Sequence, residues 1–358
     1  MRRELEHLIQ SKQANSLVLY RMPYGKDYKL IVGNSEELTF GVDEHVAGCN
    51  GFVFEPFDNE QVKGVFISEV YGDENIQLTD DVRVLLSPLF LTQEMNTDVD
   101  CNYEAYKAQF ELMHNAIADE SVDKVILSRT MIGPHIEGCR VIEFFENLAN
   151  KYPHAFVYAI NTPESGMWIG AGPELLLKND RVKMSTVSLA GTLPNDSKHT
   201  WGNKELDEQQ LVTEYVEDVL LKHRVAGIQE VGPETIPAGQ VKHLCTTFNF
   251  KSEEVNGNHL GLLYDLHPTP AVCGMPKEKA HQLIVETEGH ERAFYSGFLG
   301  PVKERRYEFY VNIRCLKVYD NSSVLYVGGG LTKDSEVKKE WEETELKALT
   351  LLSVLRNI

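Results

Sequence analysis

Between Lys124 and Val187 the chain crowds together five β-favouring runs, KVILSRT, HAFVYAI, GMWIGAG, ELLLK and RVKMSTV, before a long helical pattern from about Lys204 to Val225. Strands and helices are not regularly alternated, which favours an α+β fold over a doubly wound one. The rest of the chain agrees. Residues 1 to about 95 carry short alternating runs (NSLVLYRM, YKLIVG, GVFISEV) broken by Gly, Asn and Asp, and read as strands. A helix is predicted from Tyr103, with Tyr106, Phe110, Met113 and Ile117 at spacings of three and four. After the long helix come a strand, VKHLCTTFNF, then helices over HLGLLYDL and PKEKAHQLIVETE. Three strands between Phe294 and Gly329 and a closing helix from about Ser335 to Leu355 complete the reading. The 358 residues allow two domains or one large one, and no repeat or strong linker divides them.

Composition narrows the class of partner. Hydrophobic content of 42%, with 25% charged and 9% aromatic residues, is that of a folded globular chain. Thirty-five basic against 54 acidic residues leave a charge of −19, which repels nucleic acid and anionic membrane surfaces. A small anionic substrate remains possible where a few Lys and Arg side chains or a bound cation reverse the field locally. Cys49, Cys101, Cys139, Cys245, Cys273 and Cys315 are scattered with no CxxC pair, so reduced, mostly buried thiols are expected rather than a zinc site or disulfide framework. MRRELEHLIQSK lacks the apolar run of a secretory signal, and no stretch is apolar enough to span a bilayer, so a cytoplasmic location is expected. No exposed apolar helix face is evident, and a monomer is the expected state.

Six places could carry chemistry, and each has a structural alternative. In SVDKVILSR, strand parity puts Lys124 on the same face as Val122 and Ile126. There it is either a desolvated general base or an end-of-strand lysine reaching water. Glu174 follows Gly170, Ala171, Gly172 and Pro173 and precedes three leucines, so it is a desolvated general acid or a turn glutamate in solvent. Glu208 lies in line with Tyr215 and Val219 on the apolar stripe of its helix, as a metal ligand or as a first-turn acid favoured by the helix dipole. Glu343 and Lys347 are four apart in EWEETELK, the spacing of an ordinary surface ion pair. In YVNIRCLKV, Tyr310, Asn312 and Arg314 share a strand face that suits a carboxylate or solvent. His267, in the rigid HPTPAVCG turn, is a ligand-facing group or a structural donor.

Taken in order, VDKVILSR, GAGPELLL, SLAGT, the Lys204 to Glu208 KxxxE start, HPTPAVCG, ERAFYSGFLG, NIRCLK, GGG and EWEETELK resemble the chorismate-utilising enzymes of the menaquinone, siderophore and tryptophan group. The resemblance runs from about Tyr103 to Leu355 and is weak over residues 1–100. It implies one large α+β chorismate-binding domain with layered sheets and outer helices. Residues 1–100 form a strand-rich part of that fold and 101–358 the catalytic region. It implies Mg²⁺ held by Glu208 and Glu343 and bridging to the ring carboxylate of chorismate. Arg314 and Lys347 then bind carboxylate, assisted by backbone near Gly191 and Gly328 to Gly330. Within the group, a lysine at the position of Lys124 marks the branch that uses water and makes isochorismate for menaquinone or siderophore synthesis; Glu174 then protonates the departing C4 hydroxyl. Ala271 and Val272, with His267 upstream, resemble the turn of enzymes that stop at isochorismate rather than release pyruvate to give salicylate. Gln209 departs from the pattern, since many members have His there.

Overall fold

The structure is a computed structural model that describes residues 2–39, 41–90, 92–95, 101–195, 200–238 and 241–356. Helices α1 (Arg2–Gln10), α2 (Glu44–Gly48), α3 (Asp80–Leu86), α4 (Tyr103–Ala118) and α5 (Val141–Lys151) lie in the first half of the chain. Helices α6 (Asn203–Lys222), α7 (His259–Leu266), α8 (Lys277–Thr287) and α9 (Val337–Leu355) lie in the second. Strands β1 (Ser16–Arg21), β2 (Lys29–Leu38), β3 (Asn50–Glu55), β4 (Gly64–Asp73), β5 (Lys124–Gly133), β6 (Phe156–Thr162), β7 (Gly166–Gly172) and β8 (Leu175–Asn179) alternate irregularly with them. So do β9 (Lys183–Pro194), β10 (Gln229–Ala238), β11 (Val241–Lys251), β12 (Gly274–Met275), β13 (Phe298–Lys303), β14 (Arg306–Val311), β15 (Cys315–Val318) and β16 (Ser323–Leu331). The described strands join in one sheet, ordered β10, β11, β9, β8, β14, β13, β3, β4, β2, β1, β6, β7, β15, β16, β5, β12. Every pairing is antiparallel. This is the expected α+β architecture.

The sheet doubles over on itself. Phe54 of β3 stacks within 4.0 Å of Phe294 and edge-on to Trp168 of β7, a strand five places away in sheet order. Phe156 of β6 stacks on Tyr310 of β14 at 4.4 Å. Alternate residues divide between two cores: Phe156, Tyr158 and Ile160 point into the fold, whereas Val157 and Ala159 point outward beneath α1, α5 and α9. Burial on both faces explains why these strands read as continuous apolar runs. A third cluster packs Tyr106, Phe110, Met113 and Ile117 of α4 and Ala280 and Ile284 of α8 against Val125 and Leu127 of β5, as the helical spacing from Tyr103 indicated.

Several elements differ from the sequence reading. α5 interrupts the run of strands after Lys124, and four strands rather than three lie between Phe294 and Leu331. The stretch expected to hold strands opens instead on α1, with Leu5 and Leu8 as its buried stripe. β10 escaped notice because QEVGPETIPA carries two prolines and a glycine; it is an edge strand with a register shift between Val231 and Glu234, where such residues are tolerated. Cys49 and Cys101 are half-buried and Cys245, Cys273 and Cys315 buried, all as free thiols, while the Cys139 side chain lies outside the described residues. Among the described residues no helix is long and apolar enough to cross a membrane.

Candidate active site

β5 forms the floor. Its Val125 and Leu127 face α4 and α8, so Lys124 and Ile126 necessarily face the other way. Lys124 is 1% exposed, yet it is not simply a cation among aliphatic groups: its Nζ donates to Glu208 Oε1 at 2.7 Å. Gly330, opposite Ile126 on β16, makes that approach possible, because a Cβ there would lie 3.0 Å from Lys124 Cε and 3.2 Å from Glu208 Oε1. Burial pushes the Glu208 carboxyl up, but the charge and hydrogen bond of Lys124 outweigh it and hold the group below the ordinary carboxylate range. Glu208 is aimed by its neighbour on α6. Gln209 Oε1 accepts from Ala190 N (2.8 Å), and its Nε2 donates to Ser188 O, Ser188 Oγ, Thr213 Oγ1 and Thr246 Oγ1. The glutamine therefore ties α6 to β9 and β11.

Glu174 sits between β7 and β8 and is 1% exposed. Thr269 Oγ1 donates to its Oε1 at 3.1 Å, and Oε2 is buried with no hydrogen-bond partner among the described residues. Desolvation raises its pKa to about 7, against the opposing pull of Thr269, Arg314 and Lys124. A carboxyl kept protonated near neutrality can deliver a proton.

The expected continuous strand through Asn312 is broken. β14 ends at Val311 and β15 begins at Cys315, and between them Arg314 takes a left-handed backbone (φ 56°). The three residues read as one polar face separate: Tyr310 packs in the core, Asn312 bonds Tyr158 and the Phe294 carbonyl, and Arg314 turns into the cavity. Arg314 Nη2 donates to His243 Nε2 at 3.1 Å, while its Nε lacks a partner. His243 Nδ1 is 2.8 Å from the Gly191 carbonyl, which can only accept, so Nδ1 carries the proton and Nε2 the lone pair. Burial, reinforced by the Arg314 charge, pulls the His243 pKa down to about 3 and keeps the ring neutral.

α9 closes the cavity. Lys347 Nζ pairs with Glu343 Oε1 at 2.6 Å and donates to the Gly328 carbonyl at 2.8 Å, and Lys347 is 9% exposed, so this is no surface decoration. One turn earlier, Glu340 is buried, bonded by Ser335 Oγ at 2.7 Å and paired with Lys204 at 3.5 Å. Burial, together with the charge of Glu343, pushes its pKa up. A Cβ on Gly329 would lie 3.3 Å from Glu340 Oε2 and 3.8 Å from Glu343 Oε1, and one on Gly330 close to Glu208. Three carboxylates thus converge over consecutive glycines, each paired with a lysine. Among the described residues no three such side chains form a closed metal cage. Hard oxygen donors with room for substrate oxygens and water nonetheless fit Mg²⁺, which favours one or two carboxylates and retains water.

Glu174, Gly191, Glu208, Ala271, Val272, Arg314, Gly328, Gly329, Glu343 and Lys347 all line one open cavity, and Lys124 is tied to it through Glu208. His267 does not line it: the ring is buried edge-on to Phe298, and its carbonyl caps Lys277 Nζ. Sequence reasoning missed His243, Thr269, Glu340 and the side chain of Lys204. A lone imidazole inside VKHLCTTFNF, and a glutamate one turn before Glu343, were the available signals.

The model of the family described as chorismate binding enzyme matches residues 69–356. The chain belongs to this family. Among relatives of this chorismate binding enzyme, EntC of Escherichia coli K12, named an isochorismate synthase, is 32% identical over 248 residues, 66% of this chain and 63% of that one. The match therefore spans under two thirds of that relative's length. The crystal structure of DhbC from Bacillus anthracis superposes with a TM-score of 0.78 at 25% identity, covering 98% of this chain and 99% of that one. The menaquinone-specific isochorismate synthase MenF of Escherichia coli shares the fold at a TM-score of 0.77 and 20% identity, over 98% and 91% of the two chains.

Proposed function

We propose that this chorismate binding enzyme is an isochorismate synthase, converting chorismate reversibly to isochorismate by attack of water at C2 and loss of the C4 hydroxyl. The carrying observation is that one cavity is lined by a buried carboxyl of pKa about 7, Glu174, and by Glu208, to which a buried lysine, Lys124, is bonded at 2.7 Å. Lys124, an ammonium paired with Glu208 at rest, passes that proton to solvent and, as the free amine, takes one from water as the water oxygen bonds to C2. The ring double bond shifts, and Glu174 gives its proton to the C4 oxygen, which leaves as water. One water enters and one departs, and proton exchange through solvent resets the two residues. Arg314, which pairs with no carboxylate among the described residues, takes one substrate carboxylate; Lys347 takes part in holding the other. Glu208 and Glu343 would hold Mg²⁺, which supplies the positive charge that lets the ring carboxylate settle among glutamates. The name borne by EntC supports the same reading. Isochorismate made in this way would enter menaquinone or catechol siderophore synthesis, and the enzyme would act as a cytoplasmic monomer.

The test is incubation of the purified protein with chorismate and Mg²⁺, followed by chromatography. Isochorismate in equilibrium with chorismate, lost on chelation and restored by Mg²⁺, is expected. Accumulation of salicylate and pyruvate, or Mg²⁺-dependent binding without turnover, would refute the reading.

A further inference from the structure

We propose that Arg292, together with Glu288, is a positioning residue that ends the β5–β12 pairing where the cavity begins, and so holds the wall at Val272 apart from the floor at Ile126. β12 pairs with β5 over two positions only, Gly274 with Val125 and Met275 with Lys124. One more ladder bond follows, from Ile126 N to Cys273 O at 2.8 Å. The chain then leaves the sheet through a turn in which the amides of Val272 and Cys273 both donate to Thr269 O.

That departure strands three main-chain groups in a buried setting: Ile126 O and Ser128 N on the open edge of β5, and Val272 O across from it. Unpaired buried groups of this kind are costly. Side chains replace the missing strand. Arg292 Nη1 donates to Val272 O at 2.7 Å and Nη2 to Ile126 O at 2.9 Å. Glu288 accepts from Ser128 N at 2.6 Å and from Ser128 Oγ at 2.9 Å. The two are joined by a two-point pair, 2.6 and 2.8 Å, and the guanidinium lies over the Phe57 ring at 4.4 Å. Arg292 is 4% exposed and Ser128 fully buried, so the contacts are shielded from water.

The location makes this more than a cap. Ile126 and Val272 both line the cavity. Lys124 precedes Ile126 by two residues on the same face, and the turn that ends at Val272 begins at Thr269, which holds Glu174. Continued pairing of the two strands would close the cleft. The Arg292–Glu288 pair thereby sets the span between Lys124 and Glu174 without touching substrate.

Two readouts test this, and only the kinetic one rests on the isochorismate reading. Hydrogen exchange should accelerate at least tenfold over 126–128 and 272–273 in Arg292→Gln, while α6 and β9 keep wild-type rates. With chorismate and Mg²⁺, kcat should fall about 100-fold with KM within about threefold, since a misplacement near 1 Å is worth about that much, and Arg292→Lys should recover part of the loss. If Arg292→Gln fails to fold, the isosteric Glu288→Gln carries both readouts. Folded variants that exchange at wild-type rates, or that retain wild-type kcat, overturn the proposal. An inactive wild-type protein sinks the activity reading alone and leaves the exchange result to decide this one.

Discussion

Glu174 and Lys124 are both about 1% exposed, yet their surroundings treat the buried charge in opposite ways. Glu174 Oε2 has no partner among the described residues, so desolvation prevails and the neutral acid persists to a pKa of about 7. Lys124 has the Glu208 carboxylate at 2.7 Å, an ion pair that offsets its burial. Replacing Lys124 by Ala or Glu174 by Gln should cut kcat by about 10²–10⁴ while chorismate still binds in Mg²⁺, as steady-state assays and calorimetry would show. In the chorismate-to-isochorismate direction Glu174 must be protonated. Its pKa is raised, so the active form dominates below pH 7, and kcat/KM should fall on the alkaline side of about pH 7. A pH profile flat from 6 to 9 would remove Glu174 from the acid role. Period-2 parity made the shared face of Lys124 and Ile126 legible in the sequence, but Val122, read on that face, precedes the strand and packs with Val125 and Leu127 instead. The Thr269 bond to Glu174 was not, because it joins residues 95 positions apart and depends on the fold.

Elements with strong local signals were legible. The stripes of α4 and α6 fall where the sequence indicated, because those faces pack on β5 and β9, and the closing helix expected from about Ser335 to Leu355 forms as α9 against β16. Long-range pairing decided the rest. β10 is a proline-bearing edge strand, and Arg314 sits between β14 and β15 in a left-handed conformation that its side-chain chemistry gives no hint of. Gln209 shows how one residue serves an element: it satisfies groups on β9, α6 and β11 at once. Gln209→Leu leaves the Ala190 amide and three hydroxyls short of partners, and should cost about 3 kcal/mol, a fall in Tm of about 4 °C. A melting curve unchanged within error would show that water or repacking replaces the amide.

At the scale of the whole molecule, a chain of charge −19 would, on the proposed reading, accept an anion where Lys204, Arg314 and Lys347 line one cavity, with Lys124 bonded to its Glu208. The core also carries acid far from that cavity. Glu55 is fully buried, bonded by Tyr264 at 3.2 Å, and burial raises its pKa to about 7. A folded-state pKa above the unfolded value means that the native state binds its proton more tightly. Stability from this group is fully present below about pH 4.5 and is lost as pH rises through 7, a difference of about 3 kcal/mol. Glu55→Gln should therefore raise Tm at pH 8 and leave it nearly unchanged at pH 4.5; equal shifts at both would show that packing, not ionisation, governs the site. The central claim is that solvent water, activated at Lys124, supplies the new hydroxyl. Turnover of chorismate in ¹⁸O-enriched water, read by mass spectrometry, should give isochorismate carrying ¹⁸O in its C2 hydroxyl; unlabelled isochorismate, formed by transfer of the substrate's own hydroxyl, would contradict it.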